Sequence, residues 1–156
     1  LTNTKSGADY CWYLGASELY RERLGENAAL EIHMLGRTYD ERAMVYDEMR
    51  RLIGRRSALF FSTDFNAVEA IGYLQRRQIS IPEDISVAGF DDDIYARLCN
   101  PRLTSMSVDV SRKAELAVNM LMRLIDGEEV RESEPKIDAV IAERESVMKV
   151  EEGLDY

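Results

Sequence analysis

The sequence predicts an α/β fold: a largely parallel sheet flanked by helices. Three observations carry that expectation. Short apolar runs recur at residues 10–14, 58–61 and 85–90, and an alternating run follows at 105–110. Between them lie longer stretches with helical apolar spacing, and such alternation builds βαβ units whose strands pair in parallel. The run Ala58, Leu59, Phe60, Phe61 is apolar throughout and bounded by Ser57 and Ser62, the composition of a strand covered on both faces.

Each element has a local reason. Residues 10–14 form an aromatic, apolar run closed by Gly15 and read as a buried strand. Ser17 then caps a helix to about residue 30, with Glu18 in its first turn and Gly25 as its weak point. Residues 32–35 are a short apolar piece before Gly36. Residues 39–53 read as a strong helix, with Met44, Val45, Met49, Leu52 and Ile53 in a stripe and Gly54 as terminator. Asp64 opens a helix to about residue 77, and Pro82 precedes the strand at 85–90. Ser111 is placed to cap a long helix over residues 112–125, closed by Asp126 and Gly127. A polar loop leads to a last strand at 137–141.

Composition narrows the function classes. With 156 residues, 46% hydrophobic and 31% charged, the chain suits one soluble domain with a real core. A net charge of −9, from 20 Lys+Arg against 29 Asp+Glu, makes it a poor module for gripping phosphate backbones. Arg50, Arg51, Arg55 and Arg56 cluster near one helix end and read as macrodipole partners rather than an anion-binding patch. Cys11, Cys99 and His33 are too few for a four-ligand zinc site, so two free thiols in the cytoplasm are expected. No secretory pattern opens the chain and no apolar run is long enough for a membrane. His33 stands in no triad motif and no phosphate-binding glycine loop occurs, so neither an enzyme nor a cofactor is expected. The run Asp91, Asp92, Asp93 reads as a solvated turn rather than a metal site.

Ligands of parallel α/β sheets bind beyond the carboxyl ends of the strands. That rule points to residues 15–20, 36–39, 62–64 and 90–93.

Four segments carry a family resemblance. They are ALFFSTD at 58–64, followed by Ala67, Ala70 and Ile71; IPEDISVAGFDD at 81–92; PRLTSM at 101–106; and AERES at 142–146. In order and spacing they resemble the effector-binding core of LacI-type transcriptional regulators, most clearly over residues 57–147. The resemblance implies a periplasmic-binding-protein-like (type I) fold: two α/β subdomains joined by three crossovers, with a small effector in the cleft. It further implies that this chain holds only part of that core. Residues 1–102 correspond to the C-terminal effector subdomain, 103–127 to a strand and helix of the other subdomain, and 128–156 to the return strand and tail. A fragment or truncated form is thus expected, without the DNA-binding headpiece and in need of a partner surface for residues 103–127.

The resemblance also nominates site residues, each with a plainer alternative. Asp91, first acid after the strand at 85–90, is expected to accept hydroxyl donors from an effector; alternatively it bonds its own turn. Thr63 stands where many relatives have an effector-contacting Asn, or else it caps the following helix. Tyr39 is either a stacking aromatic at the cleft or a packing residue at a helix start. Arg21 and Arg23 lie where relatives show Arg-x-x-Gly-[Tyr/Phe]-x-x-Ala-Leu. Here Glu22 and Glu26 occupy the expected Arg and aromatic positions, so neither arginine inherits the role cleanly and each reads first as a solvated helix charge. Val108 is apolar where some relatives place a polar contact. The implied function is effector sensing, of a sugar first, by a homodimeric regulator that reaches operator DNA only through a headpiece. A solute-binding component of a sugar transporter is the alternative.

Overall fold

The computed structural model describes residues 7–25, 31–53, 58–130 and 137–149. Its order is α1 (Gly7–Leu24), α2 (Tyr39–Leu52), β1 (Ala58–Phe60), α3 (Asp64–Gln75), β2 (Ser86–Phe90), α4 (Ile94–Leu98), β3 (Thr104–Val108), α5 (Val110–Ile125) and β4 (Ala139–Ala142). The strands form one sheet in the order β1-β2-β3-β4. Pairs β1/β2 and β2/β3 are parallel, and β4 closes the sheet antiparallel to β3. The largely parallel α/β architecture expected from the alternation is present. Among the described residues no helix is long and apolar enough to cross a membrane.

The amino-terminal reading requires correction. Residues 10–14 are not a strand but part of α1, and Ser17 lies inside that helix rather than at its cap. Among the described residues the sheet ends at β1. A run with no ladder to join satisfies its own backbone as a helix. Gly25 is where α1 stops: it adopts φ +78° and its N–H donates to the Arg21 carbonyl at 3.0 Å. The expected extension to residue 30, the terminator Gly54, and Arg55 and Arg56 lie outside the described residues.

Helix α2 begins with a reciprocal cap. Thr38 Oγ1 accepts from Glu41 N at 3.3 Å, while Glu41 Oε2 accepts from Thr38 N at 2.9 Å. The stripe differs from the one expected. Met44 is 75% exposed, whereas Arg42, Tyr46 and Met49 are buried. These three are spaced to share one helix face. Arg42 grips Glu69 of α3 with two bonds, Nε at 2.6 Å and Nη2 at 2.8 Å, and the Tyr46 hydroxyl donates to the same carboxylate at 3.0 Å. The Tyr46 ring meets Phe61 edge-on at 6.3 Å.

Strand β1 is covered on one face only, a second correction. Leu59 and the following Phe61 are buried, while Ala58 is exposed and Phe60 is 40% exposed. The covered face packs with Ala67, Ala70, Ile71 and Leu74 of α3 and with Val87 of β2 in the main core. Helix α5 starts two residues earlier than expected: Asp109, not Ser111, is its cap and accepts from Arg112 N at 2.9 Å. None of its residues is buried. The short helix α4 was not expected. It grows from the acidic run, with Asp93 Oδ1 accepting from Tyr95 N at 2.8 Å and Ala96 N at 3.3 Å.

The Arg42–Glu69–Tyr46 cluster makes the α2/α3 contact acid-sensitive. The Arg42 bonds hold the Glu69 carboxyl below its ordinary value against the opposing effect of burial. A carboxyl lowered on folding contributes stability above its unfolded value, and that contribution is lost as pH falls through the folded one. Arg42→Ala is expected to cost on the order of 3 kcal/mol by stranding a part-buried carboxylate. Glu69→Gln is expected to flatten the loss of stability below about pH 5. Urea unfolding across a pH series reads both, and an unaltered acid slope in Glu69→Gln would remove Glu69 from this role.

Candidate functional site

The carboxyl ends of β1 and β2 open onto one rim. Its centre is Asp64, the first residue of α3, with 0% exposure. One oxygen, Oδ1, accepts from the Ser105 hydroxyl of β3 at 2.6 Å; the other, Oδ2, accepts from Asp93 N at 2.9 Å. A single carboxylate therefore ties the start of α3 to β3 and to the turn after β2. Burial raises its pKa, opposed by those two hydrogen bonds. Gly89 makes the arrangement possible. A Cβ there would lie 2.2 Å from Asp64 Oδ1 and 2.8 Å from Leu103 Cδ2, inside any allowed contact.

The turn leaving β2 is unusual. Asp91 has φ +110° and Asp92 φ +51°, values that residues with a Cβ rarely adopt. Asp91 N donates to the Met106 carbonyl at 3.0 Å, and Asp92 N donates to Ser105 Oγ at 3.1 Å. The Asp92 carboxylate points inward to Arg144 and also receives Arg97 Nη2 at 3.0 Å. Burial raises its pKa, but these two cations more than offset that and leave it below the ordinary value. Asp91 differs. It is exposed at the rim, and its carboxylate accepts no hydrogen bond from the described residues. Partial desolvation and the neighbouring Asp93 raise its pKa, with Lys113 opposing.

Of the nominated residues, the structure brings Asp91 and Thr63 to this rim. Thr63 acts there as the cap of α3, its Oγ1 accepting from Asn66 N at 3.4 Å. Tyr39 is elsewhere: its hydroxyl receives Arg76 Nη2 at 3.1 Å, and Arg76 lies at the far end of α3 from Thr63. Arg21 and Arg23 are exposed on the last turn of α1. Val108 pairs with Ala139 of β4. A shallow open groove lined by Gln75, Gln78, Ile81, Asn100 and Pro101 also lies at the far end of α3, remote from the rim acids.

Three residues that build the rim were missed: Asp64 beyond its place at the start of α3, where Thr63 is the cap, Ser105 and Arg144. Their partners are 41 and 52 residues distant in sequence, so local spacing carries no trace of them. One signal was available for Asp64: a glycine inside the apolar strand, Gly89, marks a close approach.

With that geometry in place, comparison with known proteins is decisive for the family. Residues 5–147 match the model of the periplasmic binding protein-like domain. The chain belongs to that family. Its relatives include the ribose operon repressor of Escherichia coli (strain K12), 29% identical over 104 residues, which are 65% of this chain and 32% of the repressor. The HTH-type transcriptional regulator MalR of Clostridium butyricum is 27% identical over 137 residues, 84% of this chain and 40% of that protein. The crystal structure of the Escherichia coli transcriptional repressor ascG matches with a TM-score of 0.75 and 25% identity, covering 95% of this chain and 54% of the other. The chain thus spans about half the length of this solved relative and less of the curated ones. The resemblance to a LacI-type effector-binding core, and its incompleteness here, agree with these matches. These relatives are transcriptional regulators, which favours the regulatory reading over the transporter one.

The rim makes a steric prediction. Gly89→Ala pushes a methyl into two fully buried side chains, so it is expected to destabilise the fold by roughly 2–3 kcal/mol. A urea midpoint matching the parent chain would mean that Asp64 does not lie over Gly89.

Proposed function

We propose that this chain is the effector-sensing part of a DNA-binding transcriptional regulator of carbohydrate metabolism. The observation that carries the reading is Asp91: an exposed carboxylate at the carboxyl end of a parallel strand, with no hydrogen-bond donor from the described protein. An ionised carboxylate is acceptor-only and suits the paired hydroxyls of a sugar. The relative that regulates a ribose operon supports the same ligand class. Thr63 offers a hydroxyl at the same rim, while Tyr39, Arg21 and Arg23 stand outside it.

The protein works by binding, not catalysis, and in the cytoplasm. Residues 1–102 supply the effector subdomain, 103–127 a strand and helix of the opposing one, and 128–156 the return strand and tail. Operator DNA is contacted through a headpiece that these residues do not form. The effector shifts operator affinity by binding one arrangement of the core better than the other. The regulator is a homodimer. Phe65, Ile94, Tyr95 and Leu98 support this, being at least half-exposed apolar side chains that a monomer leaves in water.

The test is thermal unfolding with a panel of D-ribose, D-xylose, D-glucose, maltose and cellobiose. At least one sugar should raise the Tm of the parent chain, by a few degrees at saturating concentration, and Asp91→Ala should abolish that rise. Equal stabilisation of both forms by the same sugar would sink the assignment of Asp91.

A further inference from the structure

The turn at Asp91 and Asp92 places two consecutive non-glycine residues at positive φ. Such a conformation persists only where its surroundings impose it. Two backbone bonds, to the Met106 carbonyl and to Ser105 Oγ, fix the N–H groups. What fixes the side chain of Asp92 is a pair of arginines of unequal standing. Arg97 has a side chain 58% exposed, and exposed ion pairs hold little. Arg144 has a side chain 15% exposed against 10% for Asp92. Arg144 is also held from both sides: Nη1 donates to the Leu103 carbonyl at 2.6 Å, and its own N–H donates to Thr104 Oγ1 at 2.9 Å. The guanidinium is thus anchored to the start of β3 before it reaches Asp92.

We infer that Arg144 is a positioning residue: by clamping Asp92 against β3 it holds the turn in its left-handed form and so presents the Asp91 carboxylate at the rim. The inference rests on Asp91 being the effector-binding group. Arg144 acts through Asp92, with which its guanidinium pairs. If the clamp is released, the bonds of the backbone N–H groups alone do not hold the positive φ, and the Asp91 side chain leaves its outward position. A glycine at position 92 removes that dependence, because glycine adopts positive φ without steric cost.

The test reads the turn directly, in the full chain without any sugar. In isotope-labelled protein, the intraresidue amide-to-α NOE and the three-bond coupling report the sign of φ at Asp91 and Asp92. The parent chain should show positive φ at both. Arg144→Gln should lose that signature at both, while amides of β3 keep their exchange protection. Arg97→Gln should retain it. Adding Asp92→Gly to Arg144→Gln should restore the signature at Asp91. Retention of both positive-φ signatures in Arg144→Gln would overturn the inference and leave Arg144 a simple tie between strands, as would their absence in the parent. If Arg144→Gln does not fold, Asp92→Asn, which removes the charge pair but keeps the side-chain shape, is read in its place with the same two outcomes. A failure of Asp91 to bind sugar shows only in the thermal series, so the two ideas fail separately.

Discussion

Asp64 carries a buried carboxylate that is bonded to no cation among the described residues. Its position therefore depends on two hydrogen bonds, from the Ser105 hydroxyl and the Asp93 amide. An acid in that situation is costly unless every bond is made, which is why its neighbours are so constrained. Position 89 must be glycine-sized, Ser105 must point inward from β3, and the turn after β2 must come back to offer Asp93 N. Ser105 then passes the constraint on, because its oxygen also accepts from Asp92 N. The rim is thus a chain of dependent contacts running from α3 to β3 to the turn that carries Asp91.

The segment after β4 closes the same structure from the other side. Three consecutive residues each secure a different element. Arg144 reaches Asp92 and Leu103; Glu145 receives Arg102 Nε and Nη2, at 2.9 Å and 2.7 Å; Ser146 accepts from Thr104 N at 2.8 Å and donates to the Val87 carbonyl. Val87 N in turn donates to the Ser146 carbonyl at 2.8 Å. Ser146 is fully buried between β2 and β3, where it satisfies backbone groups beyond the β2/β3 ladder. The return strand is therefore part of the site's foundation, with Arg144 as its one contact to the rim turn among the described residues.

These relations explain what could be read in advance. Helix α3 and strand β2 were legible because local chemistry decides them: Thr63 and Asp64 start the helix, and a bounded apolar run makes the strand. The parallel order followed from alternation. Residues 10–14 misled because a five-residue apolar run has no intrinsic period, and only the presence of a neighbouring strand separates strand from helix. Met44 misled because the α2 face is decided by the polar partner Glu69, which draws Arg42 inward in place of a hydrophobic residue. The position of Asp91 at a strand end was legible; the backbone conformation that presents it was not, since it depends on Arg144 far along the chain.

The same electrostatics bear on what kind of ligand the rim accepts. Burial raises the pKa of Asp91, and the nearby Asp93 carboxylate adds to that effect. Closing a cleft over Asp91 would desolvate it further and penalise the anion unless the ligand returned hydrogen-bond donors. A neutral polyol supplies such donors without adding charge. A second anion would meet two carboxylates on a chain already at −9 and would find the cations Arg97 and Arg144 engaged by Asp92. On the reading proposed above, such a rim would favour hydroxyl donors over carboxylates or phosphates, because Arg97 and Arg144 pair with Asp92 and, among the described residues, no cation is bonded to Asp91.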